Sequence, residues 1–131
     1  MRRNSIFLTT LLLCSIFSFS GCQEDKLEKC KEDISGSWKS FYLSSPYPNE
    51  DAILLRLDAG STGRISFEYE DGSEDSFDIE FWSVNEDCNN LEFEDEDGDD
   101  ANLNISGLDD KELRLTGKIY GDKYVIHFRR R

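Results

Sequence analysis

The stretch Arg64–Phe81, which reads RISFEYEDGSEDSFDIEF, indicates the fold more directly than any other part of the chain. Apolar side chains occupy every second position over residues 65–69 and again over residues 77–81. A period of two is typical of a β-strand with one buried and one solvated face. Asp71-Gly72, between the two runs, is a common hairpin turn. The stretch therefore predicts two antiparallel strands joined by a tight turn.

Short alternating runs of the same kind continue on both sides of this hairpin, separated by clusters of turn-forming residues, and together they make about eight strands. Short connections place successive strands next to each other in antiparallel pairs. A meander of eight strands can close on itself, and closure leaves no exposed edge strand. We therefore predict an all-β fold, a small eight-stranded antiparallel up-and-down barrel that spans residues 34–131.

An immunoglobulin-like sandwich is the alternative all-β fold. In that fold the buried tryptophan follows a first cysteine that lies on a strand. Cys30 instead lies in the sequence KLEKCKED, which has no strand-like alternation. The barrel is therefore the favoured prediction.

The amino-terminal segment has the composition of a secretory signal peptide. Arg2-Arg3 precedes a mostly apolar run over residues 6–19. A short basic region followed by about 7–15 apolar residues is typical of such signals, whereas a membrane-spanning helix needs roughly 20 apolar residues. We predict that residues 1–21 form a signal peptide.

Ser20-Gly21-Cys22 resembles the lipobox of bacterial lipoproteins. This resemblance implies cleavage before Cys22 and acylation of that residue, and two or more acyl chains hold a protein firmly at a membrane. Residues 22–33 would then be a lipidated tether with a short helical turn near Leu27 and Cys30. Gln23-Glu24-Asp25 resembles the acidic tract of some surface-exposed Bacteroidota lipoproteins. We expect an outer-membrane lipoprotein of the cell envelope, periplasmic or surface-exposed; the alternative is an ordinary signal peptide followed by an incidental cysteine.

The net charge of the chain narrows the range of possible partners. The chain has 28 acidic and 15 basic residues and a net charge of −13, which repels nucleic acid and anionic lipid surfaces. Nucleic acid is therefore not an expected partner.

The cysteine content predicts one disulfide. Cys14 lies in the leader and Cys22 is expected to carry lipid, which leaves Cys30 and Cys88. Because thiols pair in oxidising compartments, we predict a disulfide between them; the alternative is two buried or free thiols.

The segment Ile34-Ser35-Gly36-Ser37-Trp38 resembles the Gly-x-Trp opening of the lipocalin-like domains found in Bacteroidota lipoproteins. The resemblance extends over roughly residues 30–131. It implies that Gly36 ends an amino-terminal turn and that Trp38 begins the first strand and closes one end of the barrel. It also implies an arginine from the end of the last strand lying across the tryptophan. Arg129 and Arg130 both suit that role.

Alternation predicts the side chains that face the interior, and nearly all of them are large. They are Ile53, Leu55, Leu57, Ile65, Phe67, Tyr69, Phe77, Ile79, Phe81, Leu91, Phe93, Leu103, Ile105, Leu113, Leu115, Tyr124, Ile126 and Phe128. An eight-stranded barrel is either filled by such side chains or holds one small ligand. Two functions follow: a carrier of a small apolar ligand, or a protein-interaction or inhibitory envelope barrel with a filled core and no small-molecule ligand.

A small apolar ligand at the barrel mouth would contact Phe67, Tyr69, Phe81 and Tyr124, and the proline-containing loop from Ser44 to Asp51 would cover it. A protein partner would instead use the outer wall. Alternation places Trp82 on that wall, and an exposed tryptophan is a common contact anchor. Phe41 and Leu43 are predicted to lie beside it; the alternative is a bulge or twist that buries Trp82.

The sequence predicts no catalytic residues, no cofactor and no metal site. His127 is the only histidine and falls on the outer face, without the partner spacing of a zinc site or a nucleophilic triad. The acidic segment from Asp95 to Asp100 resembles a calcium-binding loop, but its glycine comes too early and the closing glutamate is missing. We interpret it as a solvated turn and expect a protein that is not an enzyme.

Overall fold

The computed structural model describes residues 25–131. The predicted signal peptide and the predicted lipidation site at Cys22 lie outside the described residues. Helix α1 covers residues 25–34 and is followed by eight strands. The strands are β1 (Gly36–Ser44), β2 (Glu50–Leu57), β3 (Gly63–Tyr69), β4 (Glu74–Val84), β5 (Asn90–Asp95), β6 (Asp100–Leu108), β7 (Glu112–Ile119) and β8 (Asp122–Arg130).

The eight strands form one closed barrel in chain order, with each strand antiparallel to its neighbours. Strand β8 returns to pair with β1 and closes the cylinder, with Trp38 opposite Arg130 and Ser40 opposite Phe128. The predicted eight-stranded up-and-down barrel is confirmed. Within residues 25–131, no helix has the length and apolar character needed to cross a membrane.

Helix α1 covers one end of the barrel, which we call the closed end. Cys30 and Ile34 are buried in the core, and Leu27 is partly buried against that core. The spacing of these three positions puts them on one face of the helix. A disulfide joins Cys30 to Cys88, with a Cα–Cα distance of 5.7 Å, and so ties the helix to the β4–β5 turn. The predicted disulfide is confirmed, and the helix is longer than the single turn expected from the sequence.

The opposite end, which we call the mouth, carries the loop over residues 45–49 and the turns over residues 70–73, 96–99 and 120–121. Most side chains that alternation assigned to the interior are buried, and the largest fully buried ones include Trp38, Trp82 and Phe128. Tyr69 and Phe77, near the mouth, are only partly buried. The barrel is thus densely filled toward its closed end and less so toward its mouth.

A β-bulge in β4 overturns two predictions. Ile79 pairs with Asp95, but Phe81 pairs with Glu94, so β4 contains one extra residue at this point. The bulge shifts the alternation by one position. Phe81 therefore lies on the outer wall with 56% of its surface exposed, and Trp82 is buried with 1% exposed. The predictions that Phe81 lines the interior and that Trp82 is an outer contact are wrong.

A second bulge lies in β1 between Ser40 and Tyr42, opposite His127. It leaves Phe41 and Tyr42 next to each other on the outer wall and turns Leu43 inward, where it packs against the core. Phe41 is exposed as predicted, but the outward placement of Leu43 is wrong for the same reason as at Trp82.

Candidate functional site

Trp38 closes the barrel beneath helix α1. Its ring is fully buried, and its Nε1 donates a hydrogen bond to the carbonyl oxygen of Ile34, at 2.8 Å. The guanidinium of Arg130 lies over the ring, 4.1 Å from the centroid. This cation–π contact identifies Arg130 as the arginine that lies across the tryptophan. Arg129 instead lies over Phe41 on the outer wall, at 4.3 Å.

Arg130 also binds two backbone segments at the closed end, the one before β1 and the β6–β7 turn. Its guanidinium donates to the carbonyl oxygens of Ser35 at 2.7 Å, Asp33 at 2.6 Å and Asp110 at 3.0 Å. Gly36 has a φ of 126°, and a Cβ there would lie 2.6 Å from Nη1 of Arg130. The Gly-x-Trp segment therefore packs against Arg130 and has a structural role at this end.

Trp82 is a second closing residue at the same end. Its Nε1 donates to the carbonyl oxygens of Asp58 at 2.9 Å and Thr62 at 3.0 Å. These bonds satisfy the indole nitrogen and fix the β2–β3 turn against the end of β4. Neither tryptophan is available to a ligand or a partner protein.

The mouth contains a cavity of about 520 Å³, which we call the mouth cavity. Its lining residues are Tyr47, Asn49, Glu50, Phe67, Tyr69, Asp75, Phe77, Ile119, Tyr120, Asp122 and Tyr124. The structure thus brings together Phe67, Tyr69 and Tyr124, three of the four residues predicted to line a ligand site. Phe81 lies elsewhere, in a groove on the outer wall beside Glu92 and Glu94.

Aromatic rings form the floor of the mouth cavity. The centroid of Phe67 lies 6.1 Å from Phe77, 6.3 Å from Tyr120 and 6.3 Å from Tyr124. Phe77 and Tyr120 meet edge to face at 5.7 Å. These separations are typical of favourable aromatic pairs. The floor is therefore a continuous apolar surface supplied by β3, β4, β8 and the β7–β8 turn.

Carboxylates form the rim of the mouth cavity, each accepting a hydrogen bond from a tyrosine hydroxyl. The Tyr124 hydroxyl donates to Glu50 at 2.9 Å, and the Tyr69 hydroxyl donates to Asp75 at 2.9 Å. Across the opening, the hydroxyl of Tyr47 donates to Asp122 at 2.6 Å.

The three tyrosine hydroxyls keep their protons. Burial, together with the hydrogen bond to Asp75, raises the pKa of Tyr69 to about 12. Burial and the bond to Glu50 raise the pKa of Tyr124, and the bond to Asp122 raises that of Tyr47. The hydroxyls therefore act as neutral hydrogen-bond donors to the rim, and they leave the negative charge of each carboxylate uncancelled.

The loop between β1 and β2 lies at the edge of the mouth cavity, the place expected for a lid. Tyr47 reaches from this loop to Asp122, at the start of β8. The amide of Glu70, beyond the end of β3, donates to the carbonyl oxygen of Asn49 at 2.9 Å. The loop is thus bonded to two other parts of the mouth, and it supplies Tyr47 and Asn49 to the lining.

Sequence reasoning missed Glu50, Asp75 and Asp122 as site residues. In so acidic a chain no single carboxylate stands out. The only available signal was their position, because each is the first or second residue of a strand that begins at the mouth. Which strands begin there follows from the up-and-down order of the barrel.

The acidic segment from Asp95 to Asp100 uses its one buried carboxylate to form its own turn. Asp95 accepts hydrogen bonds from the amides of Asp97 at 2.9 Å and Asp99 at 3.0 Å. Burial raises the pKa of the neighbouring Tyr120 hydroxyl, and the charge of Asp95 raises it further. Among the described residues, no group of three or more His, Cys, Asp and Glu is arranged to hold a metal ion.

His127 lies on the outer wall with the residues of the β1 bulge. Its ring centroid is 4.9 Å from that of Tyr42 and 5.9 Å from that of Phe41. With Arg129 over Phe41, these four residues make a small group that we call the outer aromatic patch. The patch lies on β1 and β8, outside the mouth cavity.

Two solved structures share the fold of this chain at low sequence identity. A lipocalin-like protein from Bacteroides uniformis matches with a TM-score of 0.50 and 14% identity, over 76% of this chain and 99% of that one. Bovine odorant-binding protein, solved in complex with a selenium-containing odorant, matches with a TM-score of 0.50 and 16% identity, over 77% of this chain and 72% of that one. The sequence matches no protein-family model and no curated protein. The chain therefore has a lipocalin-like fold.

Proposed function

We propose that the protein is a non-catalytic lipoprotein of the cell envelope whose lipocalin-like barrel binds a small apolar ligand at its mouth. The observation that carries this proposal is the mouth cavity. Its volume of about 520 Å³ falls within the roughly 300–1,000 Å³ of ordinary ligand pockets. Its floor is aromatic and its polar groups are confined to the rim, which is the arrangement such pockets use to bind and orient a ligand.

The filled interior limits the ligand to the mouth. Further from the mouth, Ile126 and Phe128 are fully buried, so the barrel has no room for a long chain along its axis. The ligand is a small molecule, or the end of a larger one, held beneath the β1–β2 loop.

Location in the cell envelope is supported by the leader, by the lipobox resemblance at Cys22 and by the disulfide, because disulfides persist in oxidising compartments. The described chain begins with the helix that covers the closed end. A lipid anchor at Cys22 is three residues from that helix in sequence. Such an anchor would keep the closed end near the membrane and leave the mouth accessible from the opposite side.

A binding role without catalysis is supported by the chemistry of the rim. The hydroxyls of Tyr47, Tyr69 and Tyr124 are protonated donors to carboxylates, and their raised pKa values disfavour an oxyanion nucleophile. Neither cysteine nor histidine is among its lining residues. The polar groups of the cavity are suited to orienting a ligand.

Native mass spectrometry of the purified full-length chain, followed by solvent extraction, tests the proposal. We expect a small molecule to co-purify. Phe77→Trp enlarges a half-buried side chain on the floor of the mouth cavity and should reduce the bound fraction severalfold. Phe81→Trp makes the same change on the outer wall of the same strand and should leave it unchanged. Absence of any co-purifying molecule, or equal retention by both variants, would contradict the proposal.

The outer aromatic patch favours a second candidate, a protein-interaction or inhibitory barrel without a small-molecule ligand. Phe41 and Tyr42 are 46% and 50% exposed side by side, and aromatic residues and arginine are enriched at protein interfaces. For this function, in-cell cross-linking to an envelope protein would be lost in the Phe41→Ser, Tyr42→Ser double variant and retained in Phe77→Trp. The reverse result would exclude it.

A further inference from the structure

We propose that the mouth cavity selects ligands that carry a protonated amine on a flat apolar body. This inference rests on the proposed function and specifies the charge and shape of the ligand. It is carried by two features of the same cavity: the aromatic floor, and a rim of three carboxylates without cationic partners.

The floor suits a flat apolar group next to a positive charge. The ring centroids of Phe67, Phe77 and Tyr120 lie between 5.7 and 6.3 Å from each other. The face of an aromatic ring carries partial negative charge and attracts a cation placed over it. A ring of the ligand can therefore pack on the floor while its ammonium group lies near the rim.

The rim supplies negative charge from three different elements. Glu50 begins β2, Asp75 lies at the start of β4 and Asp122 begins β8. Each accepts a hydrogen bond from a tyrosine of the cavity. A tyrosine donor fixes the direction of the carboxylate and occupies only part of its acceptor capacity, since an ionised carboxylate has about four acceptor sites. The remaining sites are available to the N–H groups of a ligand.

Elsewhere, several carboxylates of the described chain pair with a cation, but those of the rim do not. Within residues 25–131, ion pairs within 4.0 Å are formed by Asp33, Asp58, Asp78 and Glu112, and none of these lines the mouth cavity. Lys118 and Lys123, near the β7–β8 turn, are exposed and are not among the lining residues. The negative charges of the rim carboxylates are therefore not neutralised by a neighbouring cation and can attract a cationic ligand.

The same arrangement disfavours an anionic ligand. The carboxylate of a fatty acid at the mouth would face Glu50, Asp75 and Asp122 with no lysine, arginine or histidine in the lining to offset the repulsion. Glu50 and Asp122 are half-buried, so solvent screens them less than fully exposed charges. Because the site is open to water, ion pairs here are individually weak, and we expect about threefold to fivefold discrimination between a cationic and a neutral ligand.

Isothermal titration calorimetry of the full-length chain with three indoles tests the inference. Tryptamine is cationic, tryptophol is neutral and indole-3-propionate is anionic, while all three carry the same ring. We expect tryptamine to bind about threefold to fivefold more tightly than tryptophol, in line with one partly screened ion pair, and indole-3-propionate to bind most weakly. The preference should shrink as salt is raised, because screening weakens the attraction.

Isosteric variants test which carboxylates cause the preference for a cationic ligand. Glu50→Gln keeps an acceptor for the Tyr124 hydroxyl and removes the charge, so it should lower tryptamine affinity severalfold and leave tryptophol unchanged. Asp122→Asn should act in the same direction. Glu80→Gln, on the exposed outer face of β4, changes the net charge equally and is the matched control.

The outcomes separate this inference from the proposed function. Equal binding of all three indoles, blocked by Phe77→Trp, would retain the ligand site and overturn the cation preference. An equal loss in Glu50→Gln and Glu80→Gln would assign the preference to the net charge of the chain and also overturn the inference. Failure of all three indoles to bind would overturn it too, and the proposed function would then be decided by the co-purified molecule.

Discussion

At the scale of single residues, Arg130 joins several separate parts of the closed end. It lies over Trp38 and donates to three backbone carbonyls, on the segment before β1 and on the β6–β7 turn. The sequence left Arg129 and Arg130 as equal candidates. The pairing of β8 with β1 decides between them, because adjacent residues of a strand point to opposite sides.

We predict that Arg130→Ala lowers the free energy of unfolding by roughly 1–3 kcal/mol, the range for losing charge-assisted hydrogen bonds and a cation–π contact. Urea unfolding measures the difference. Arg129→Ala is the matched control, because Arg129 is exposed and its loss should change stability by less than about 0.5 kcal/mol. Equal effects of the two substitutions would show that Arg130 has no special role at the closed end.

At the scale of elements, the bulges in β1 and β4 decide which side chains reach the interior. Alternation predicted β3, β5 and most of β8 correctly, because these strands are regular over their apolar residues. It failed after the extra residue in β4, which exchanged Phe81 and Trp82. A bulge depends on pairing with the neighbouring strand, and a pattern within one strand does not report it.

The β4 bulge predicts opposite results for two adjacent aromatic residues. Trp82→Ala removes a buried ring and should lower the free energy of unfolding by about 3–5 kcal/mol, whereas Phe81→Ala should change it by less than about 0.5 kcal/mol. Chemical denaturation of the two variants provides the comparison. A larger loss from Phe81→Ala would mean that β4 keeps regular alternation to its end.

At the scale of the whole molecule, the disulfide and Arg130 hold helix α1 on the closed end, while the mouth is held by hydrogen bonds between tyrosines and carboxylates. The disulfide and the cation–π contact between Arg130 and Trp38 are thus at the end opposite the mouth cavity. The closed end is therefore held by a covalent bond and buried contacts, whereas the loop at the mouth is held mainly by hydrogen bonds between exposed polar groups.

We predict that reduction of the Cys30–Cys88 disulfide, or the double variant Cys30→Ala, Cys88→Ala, lowers the stability of the whole barrel. The bridge links residues 58 positions apart, for which the loop-entropy model gives about 4 kcal/mol. Guanidinium unfolding with and without reductant measures this. A reduced protein with an unchanged unfolding midpoint would show that the bridge contributes little to the stability of the barrel.

The sequence by itself predicted the strand number, the closed antiparallel order and the pairing of Cys30 with Cys88, whereas the closing role of Trp38 was implied by the lipocalin-like resemblance. It did so because period-two alternation, short turns and residue chemistry are local properties of the chain. Only the tertiary structure decided the bulges, the choice of Arg130 and the inward position of Trp82. It also decided the convergence of Glu50, Asp75 and Asp122 on one aromatic floor. The physical reason is that residues far apart in sequence become neighbours only when β8 pairs with β1 and the barrel closes.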